Sequence, residues 1–138
     1  GGEQQRVALA RALVIEPRHA VRQALLQTLR ELGQPAIGVA TALDAVQLLV
    51  EEGERIETAF IEAETSALPS FELIEFLAHN HPRVRRVLIG DPSHIQASWL
   101  AEATGEVHGL LETPCNEEVV HRLLARMERV PYGQTIGL

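Results

Sequence analysis

Five short apolar runs alternate with segments whose apolar residues recur at helical spacing, and this alternation constrains the fold more than any other feature. The runs predict strands at residues 11–15, 36–39, 58–61, 86–89 and 107–111. Strands that alternate with helices are typical of a parallel sheet that is covered on both faces. Because crossovers between parallel strands are right-handed, few topologies remain. The length of 138 residues favours the three-layer α/β/α flavodoxin-like fold, with strand order 2-1-3-4-5.

The segments between the runs predict five helices. They cover residues 20–32, the stretch from the cap Thr41 to Gly53, the stretch from the cap Ser70 through Leu77, residues 95–103 and residues 117–129. We expect one domain over 11–130, preceded at 1–10 by a leader or cloning-derived segment. Residues 131–138 are expected to begin a linker to an output domain.

Charge and composition exclude several kinds of chemistry. The net charge is −7 and all twelve basic residues are arginine, so mechanisms that need a lysine amine are excluded. The negative charge disfavours direct contact with nucleic acid. The chain has a single cysteine and no apolar run long enough to span a membrane, and no signal peptide is recognisable. These features favour a cytoplasmic protein without a membrane partner.

Polar side chains that could carry chemistry follow the predicted strands. In sheets of this kind, ligands bind at the carboxyl ends of the strands. The residues at those ends are Glu16, Pro17, Glu62, Gly90, Asp91, Thr113 and Pro114. Because no nucleophile elbow, dinucleotide-binding glycine turn or cysteine–histidine signature is present, we predict no catalytic residue, no metal and no cofactor.

The order and spacing of these residues resemble a known family. The segment 13–18 with Val21 and Arg22, the strand end at residues 60–62, and the pair Thr113 and Pro114 look like their counterparts in a CheY-like response-regulator receiver domain. The resemblance covers residues 11–130. It implies a regulatory domain of a bacterial two-component signalling protein or transcription regulator.

Several positions depart from the pattern that the resemblance implies. Of the two acidic positions that hold Mg²⁺ after the first strand, Glu16 matches the first and Pro17 stands at the second. Glu62 stands at the phosphoacceptor aspartate, Gly90 at the hydroxyl residue and Thr113 at the lysine. Positioning and charge neutralisation supply most of the catalysis of phosphoryl transfer. We therefore expect a pseudo-receiver that is not an enzyme and is not phosphorylated.

Glu62 itself has two interpretations. It could act as a fixed mimic of a phosphorylated aspartate and hold the domain in one conformation. Alternatively it is an ordinary strand-end carboxylate that is solvated or paired with an arginine such as Arg18. The second interpretation is favoured because Gly90 and Leu110, the latter at the aromatic switch position, lack the groups that would respond to the charge.

The resemblance also implies action through a protein partner or a homodimer. Receiver domains commonly use the face built from the fourth helix, the fifth strand and the fifth helix. In this chain that face would include the apolar residues Trp99, Leu110, Val119, Leu123 and Met127 and the charged residues Arg122 and Arg126. If it is exposed, Trp99 would be a natural anchor, since tryptophan is enriched at interface hot spots; the alternative is a position in the core.

Other interpretations remain open. Residues 1–18 resemble the signature segment of an ABC-transporter ATPase, which we interpret as incidental because a chain without lysine has no Walker lysine. A small-ligand sensor that uses the emptied acidic pocket is a further alternative. His79 and His81 are predicted to be structural rather than metal ligands. Cys115 lies near the start of the last helix, where its pKa could fall, or is simply a buried thiol.

Overall fold

The computed structural model describes residues 10–63, 70–93 and 107–128, without the side chains of Ser70 and Phe71. Nine elements are described, in the order β1 Ala12–Ile15, α1 His19–Glu31, β2 Ala36–Val39, α2 Ala42–Glu52, β3 Thr58–Glu62, α3 Ser70–Asn80, β4 Arg85–Gly90, β5 Gly109–Glu112 and α4 Glu117–Glu128. The helix predicted at 95–103, including Trp99, lies outside the described residues, as do residues 1–9 and 131–138.

The strands form one five-stranded parallel sheet with the order β2-β1-β3-β4-β5, which confirms the predicted flavodoxin-like topology. β1 lies between β2 and β3, and Ile15 at its end pairs with Val39 on one side and Ile61 on the other. Glu62 pairs with Ile89, and Gly90 pairs with Glu112. The carboxyl ends of all the strands therefore meet at one edge of the sheet.

The core consists of two layers, one on each face of the sheet. Leu13 and Ile15 of β1 pack on one face with Leu49 of α2 and with Leu73 and Leu77 of α3. The alternate strand residues, such as Val14 and Phe60, pack on the other face against α1 and α4. Side chains alternate between the two faces because successive residues of a strand point in opposite directions. Burial of each large apolar side chain contributes about 1.5–3 kcal/mol to stability.

Two helix ends follow from local chemistry that the sequence predicts. The hydroxyl of Thr41 accepts a hydrogen bond from the backbone N–H of Asp44 at 3.1 Å and so caps α2. Gly33, two residues after the end of α1, has a φ of +80°. Glycine adopts this left-handed conformation without steric cost, so the chain can turn away from the helix there. Within the described residues, no helix combines the length and the apolar character that crossing a membrane requires.

The structure corrects one part of the predicted interface. Leu123 and Met127 were expected on an interaction face, but both are buried in the layer that α4 shares with α1 and the sheet. A helix that covers a sheet must direct its apolar stripe inward, and these residues belong to that stripe. Val119 is on the outer side and is 41% exposed.

Candidate functional site

The predicted site residues lie at the carboxyl edge of the sheet. Glu16 follows β1 and is fully buried, and Glu62 ends β3 with 5% of its surface exposed. Gly90 ends β4 and is buried as well. Thr113 follows β5, and its backbone N–H donates to the carbonyl of Gly90 at 2.8 Å. Parallel pairing of neighbouring strands thus brings these four residues to one edge.

Arg18 holds the carboxylate of Glu16. Its Nε and Nη2 atoms donate to Oε1 of Glu16 at 3.1 and 2.7 Å, and its backbone N–H donates to Oε2 at 3.2 Å. A carboxylate that is removed from water needs a counter-charge and hydrogen bonds, and one residue supplies both. Arg18 therefore forms an ion pair with Glu16.

The charge of Arg18 also acts on the other acids of this edge. The pKa of Arg18 is raised above its ordinary value, chiefly by the hydrogen bond to Glu16. The negative charges of Glu16, Glu62 and Asp91 raise it further, against the opposing effect of burial. All three carboxylates therefore stabilise the protonated form of Arg18.

Arg22, four residues after Arg18, binds the backbone of the loop that joins β1 to α1. Its Nη1 atom donates to the backbone carbonyl of Glu16 at 2.8 Å, and its Nη2 atom lies 3.2 Å from Nδ1 of His19. The stem of Arg22 passes over Gly38, where an added Cβ would lie 3.0 Å from its Cγ and Cδ atoms and 2.8 Å from Leu26 Cδ1. Glycine at this position of β2 therefore allows α1 to approach closely enough for Arg22 to reach Glu16.

The roles of Arg18 and Arg22 were largely missed from the sequence. The available signal is that two arginines, four residues apart, directly follow Glu16 and Pro17. Residues four apart share one side of a helix. Which carboxylate they would contact depends on the turn between β1 and α1, and side-chain spacing does not specify that turn.

A cleft lies beside the acidic edge, between α1 and the loop that joins β5 to α4. It has a volume of about 300 Å³ and is lined by Arg18, Ala20, Val21, Ala24, Leu25, Thr113, Pro114 and Cys115. Burial raises the pKa of the Cys115 thiol. Of the two interpretations of this cysteine, the structure therefore favours a neutral, half-buried thiol.

The residues of this edge do not fit the Mg²⁺ ion that the resemblance implies. Both carboxylate oxygens of Glu16 already accept hydrogen bonds from Arg18. Pro17 has no side-chain oxygen, and oxygen ligands are what Mg²⁺ requires. Among residues 10–63, 70–93 and 107–128, no group of three or more histidine, cysteine, aspartate or glutamate residues is placed to hold a metal ion.

The remaining candidates lie away from this edge. Arg122 pairs with Glu118 of its own helix at 3.0 Å, and Arg126 is exposed on the same helix. Leu110 of β5 is half-buried against the layer formed with α2 and α3. His79 is exposed, and the ring of His81 lies 5.8 Å from that of Phe76, centroid to centroid. The described residues of the predicted interaction surface thus lie on β5 and α4.

Solved receiver domains share this fold. A response regulator receiver domain protein from Clostridium thermocellum is 14% identical, with a TM-score of 0.73 over 87% of this chain and 98% of its own. A CheY-like receiver domain from Methylobacillus flagellatus is 21% identical, with a TM-score of 0.72 over 85% and 97%. The chemotaxis protein CheY4 of Vibrio cholerae is 18% identical, with a TM-score of 0.74 over 86% and 98%.

These likenesses establish a CheY-like fold. At such low sequence identity, the agreement concerns the backbone alone. No family model matches the sequence, and no curated protein sequence matches it either. Function must therefore be argued from the site itself.

Proposed function

We propose that this chain is a regulatory domain of a signalling protein, that it is not phosphorylated at Glu62, and that it acts by binding another protein or a second copy of itself. The CheY-like fold, shared with response-regulator receiver domains and a chemotaxis protein, supports the signalling role. The chemistry of the acidic edge supports the absence of phosphorylation.

The pairing of Glu16 with Arg18 carries this proposal. Phosphoryl transfer needs a cation that bridges the phosphate oxygens and a carboxylate aligned for attack. Here the buried carboxylate of Glu16 is already neutralised by a guanidinium from its own chain. Glu62 carries one methylene more than aspartate, so its carboxylate lies farther from the strand. Gly90 offers no hydroxyl and Thr113 no cation.

Nothing in the described residues favours the alternative of an ATPase fragment. The resemblance to an ABC-type segment requires one continuous helix through Leu13. Residues 12–15 instead form β1, a central strand that is buried along its whole length. Residues 1–9 of that resemblance lie outside the described part of the chain.

Phosphodonor treatment tests the proposal. The domain is incubated with acetyl phosphate and Mg²⁺, or with beryllofluoride and Mg²⁺, and followed by intact mass and by amide NMR spectra. We expect no gain of a phosphoryl group and no Mg²⁺-dependent shift at Glu62. A receiver domain with the full set of acidic residues, treated in parallel, shows that the reagents are active.

Glu62→Asp is the matched variant. It restores the phosphoacceptor but leaves Arg18 on Glu16 and leaves Pro17, Gly90 and Thr113 unchanged. We expect it to remain unmodified, because the aspartate alone supplies neither the metal site nor the cation. Phosphorylation of the wild type or of this single variant would show that the edge is competent and would overturn the proposal.

A further inference from the structure

We propose that the cleft between α1 and the β5–α4 loop binds a small, neutral and largely apolar molecule through a carbonyl oxygen. This inference goes beyond the proposed function, because the cleft would bind such a ligand whether or not Glu62 accepts phosphate. It names a site at which a chemical signal could reach the domain.

The walls of the cleft determine the apolar character of the ligand. Val21 and Leu25 of α1 line the cleft together with the small side chains of Ala20 and Ala24. Pro114 lies among the lining residues contributed by the β5–α4 loop. A volume of about 300 Å³ is at the lower end of the range for ligand sites, which are mostly apolar with a few polar groups that fix orientation.

Arg18 supplies the polar group. Its Nε and Nη2 atoms bind Glu16, whereas its Nη1 atom makes no hydrogen bond to any residue in the described ranges. The Arg18 side chain is 53% exposed and lines the cleft. A guanidinium group has five N–H donors and no acceptor, so a ligand that engages Nη1 must bring an acceptor oxygen.

The surrounding charges disfavour an anionic ligand. Glu16, Glu62 and Asp91 all lie close enough to Arg18 for their negative charges to raise its pKa. A further carboxylate would gain attraction from Arg18 but would be repelled by all three acids. A neutral carbonyl accepts the same hydrogen bond without this repulsion. We therefore expect an amide or a ketone to bind more tightly than a carboxylate. The amide should also bind more tightly than a hydrocarbon of the same shape.

Cys115 makes the site directly observable. It is the only cysteine of the chain and lines the cleft, and it is half-buried. A ligand in the cleft should therefore slow its alkylation, and this readout does not depend on any assumed activity of the domain.

Three probes of similar shape test the inference: benzamide, benzoate and toluene. Binding is measured by amide NMR titration and by the rate of Cys115 alkylation with iodoacetamide. We expect benzamide to bind at least about fivefold more tightly than benzoate or toluene, to shift the amides of Ala24 and Thr113, and to slow alkylation. Equal or tighter binding of benzoate would overturn the assignment of a neutral ligand.

Two substitutions on α1 locate the binding. Ala24→Leu fills the cleft at a position whose side chain is exposed, so the fold should not change. We expect it to weaken benzamide binding at least tenfold. Gln27→Leu adds the same side chain to an exposed position of α1 that does not line the cleft, and should leave binding unchanged. No benzamide binding to the wild type, or equal binding to Ala24→Leu, would overturn the site.

Discussion

At the scale of single residues, the acidic edge depends on the contact between Glu16 and Arg18. The Glu16 side chain is fully buried, whereas that of Arg18 is 53% exposed. The two partners are therefore not equivalent. Removal of Arg18 leaves a buried carboxylate without its counter-charge, and that outcome is more costly than the loss of an exposed pair.

Arg18→Met should lower the free energy of unfolding by about 2 kcal/mol, because a hydrogen-bonded charge loses its partner inside the protein. Urea denaturation at neutral pH measures the change. Arg122→Met is the matched control, since Arg122 pairs with Glu118 at 3.0 Å where both side chains are exposed. It should cost no more than about 0.5 kcal/mol. Equal losses in the two variants would contradict the structural role of Arg18.

His108 makes the stability of the domain sensitive to pH. Its Nδ1 accepts a hydrogen bond from the backbone N–H of Arg86 at 3.0 Å, and its Nε2 is buried without a partner among the described residues. Burial, and then the charges of Arg86 and Arg85, lower the pKa of His108 from 6.5 to about 4. The folded state therefore holds the neutral ring at pH values where the unfolded chain already binds a proton.

The domain should lose stability as the pH falls from 7.5 to 5. The His108 contribution is fully present above the unfolded pKa of 6.5 and is lost as the pH falls through the folded pKa of about 4. About 2 kcal/mol of it should disappear between pH 7.5 and 5. Urea denaturation at both pH values measures the loss, and His108→Gln, which retains an acceptor for Arg86, should reduce it by that amount. An exposed control, His79→Gln, should leave the loss unchanged.

At the scale of elements, local signals in the sequence predicted the helices and strands closely where a cap or stop is present. β2 has the predicted bounds of 36–39, and α2 lies between the predicted cap Thr41 and Gly53. β3 extends one residue farther than predicted, to Glu62. A charged residue suggests the end of a buried strand, but here Glu62 pairs with Ile89 of β4 and is itself buried.

The acidic edge could be predicted only in part, and the reason is physical. Strand order brings Glu16, Glu62, Gly90 and Thr113 to one edge, and alternation of strands and helices predicts that order. The contact of Arg18 with Glu16 spans only two residues and depends on the backbone path after β1. The cleft depends on how far α1 stands from the β5–α4 loop, which no periodic pattern encodes.

The Thr41 cap provides a test at this scale. The helix α2 begins with its first N–H groups unpaired within the helix, and the Thr41 hydroxyl satisfies that of Asp44. Thr41→Ala should lower the free energy of unfolding by about 1 kcal/mol, whereas Thr41→Ser keeps the hydroxyl and should be close to the wild type. Urea denaturation of the three proteins measures both values. A serine variant as unstable as the alanine variant would show that the methyl group, and not the cap, matters.

At the scale of the whole molecule, the outer side of α4 combines charges of both signs. The net charge is −7, yet the outer side of α4 carries both signs, with Glu117, Glu118, Arg122 and Arg126 all exposed. A mixed-sign helix can pair with a copy of itself across a two-fold axis, since each arginine then meets a glutamate of the other copy. Within the described residues, Val119 is the only exposed large apolar side chain of α4.

We therefore expect weak self-association through the outer side of α4. Each exposed ion pair contributes at most about 1 kcal/mol, and Arg122 already has Glu118 as a partner within its own helix. A dissociation constant near 1 mM, which corresponds to about −4 kcal/mol, is the expected order of magnitude. Sedimentation at micromolar to millimolar concentrations measures it.

Arg122→Glu and Arg55→Glu decide whether α4 forms the contact. Each variant replaces an arginine with a glutamate, so both change the net charge equally. In the wild type, each of these arginines forms an ion pair with a glutamate of its own segment. Arg122→Glu places a third negative charge beside Glu117 and Glu118 and should abolish the dimer by repulsion between the copies. Arg55 follows α2, which covers the opposite face of the sheet, so Arg55→Glu should dimerise like the wild type. A wild type that stays monomeric up to millimolar concentration, or an equal loss in both variants, would exclude this surface and leave a different protein as the partner.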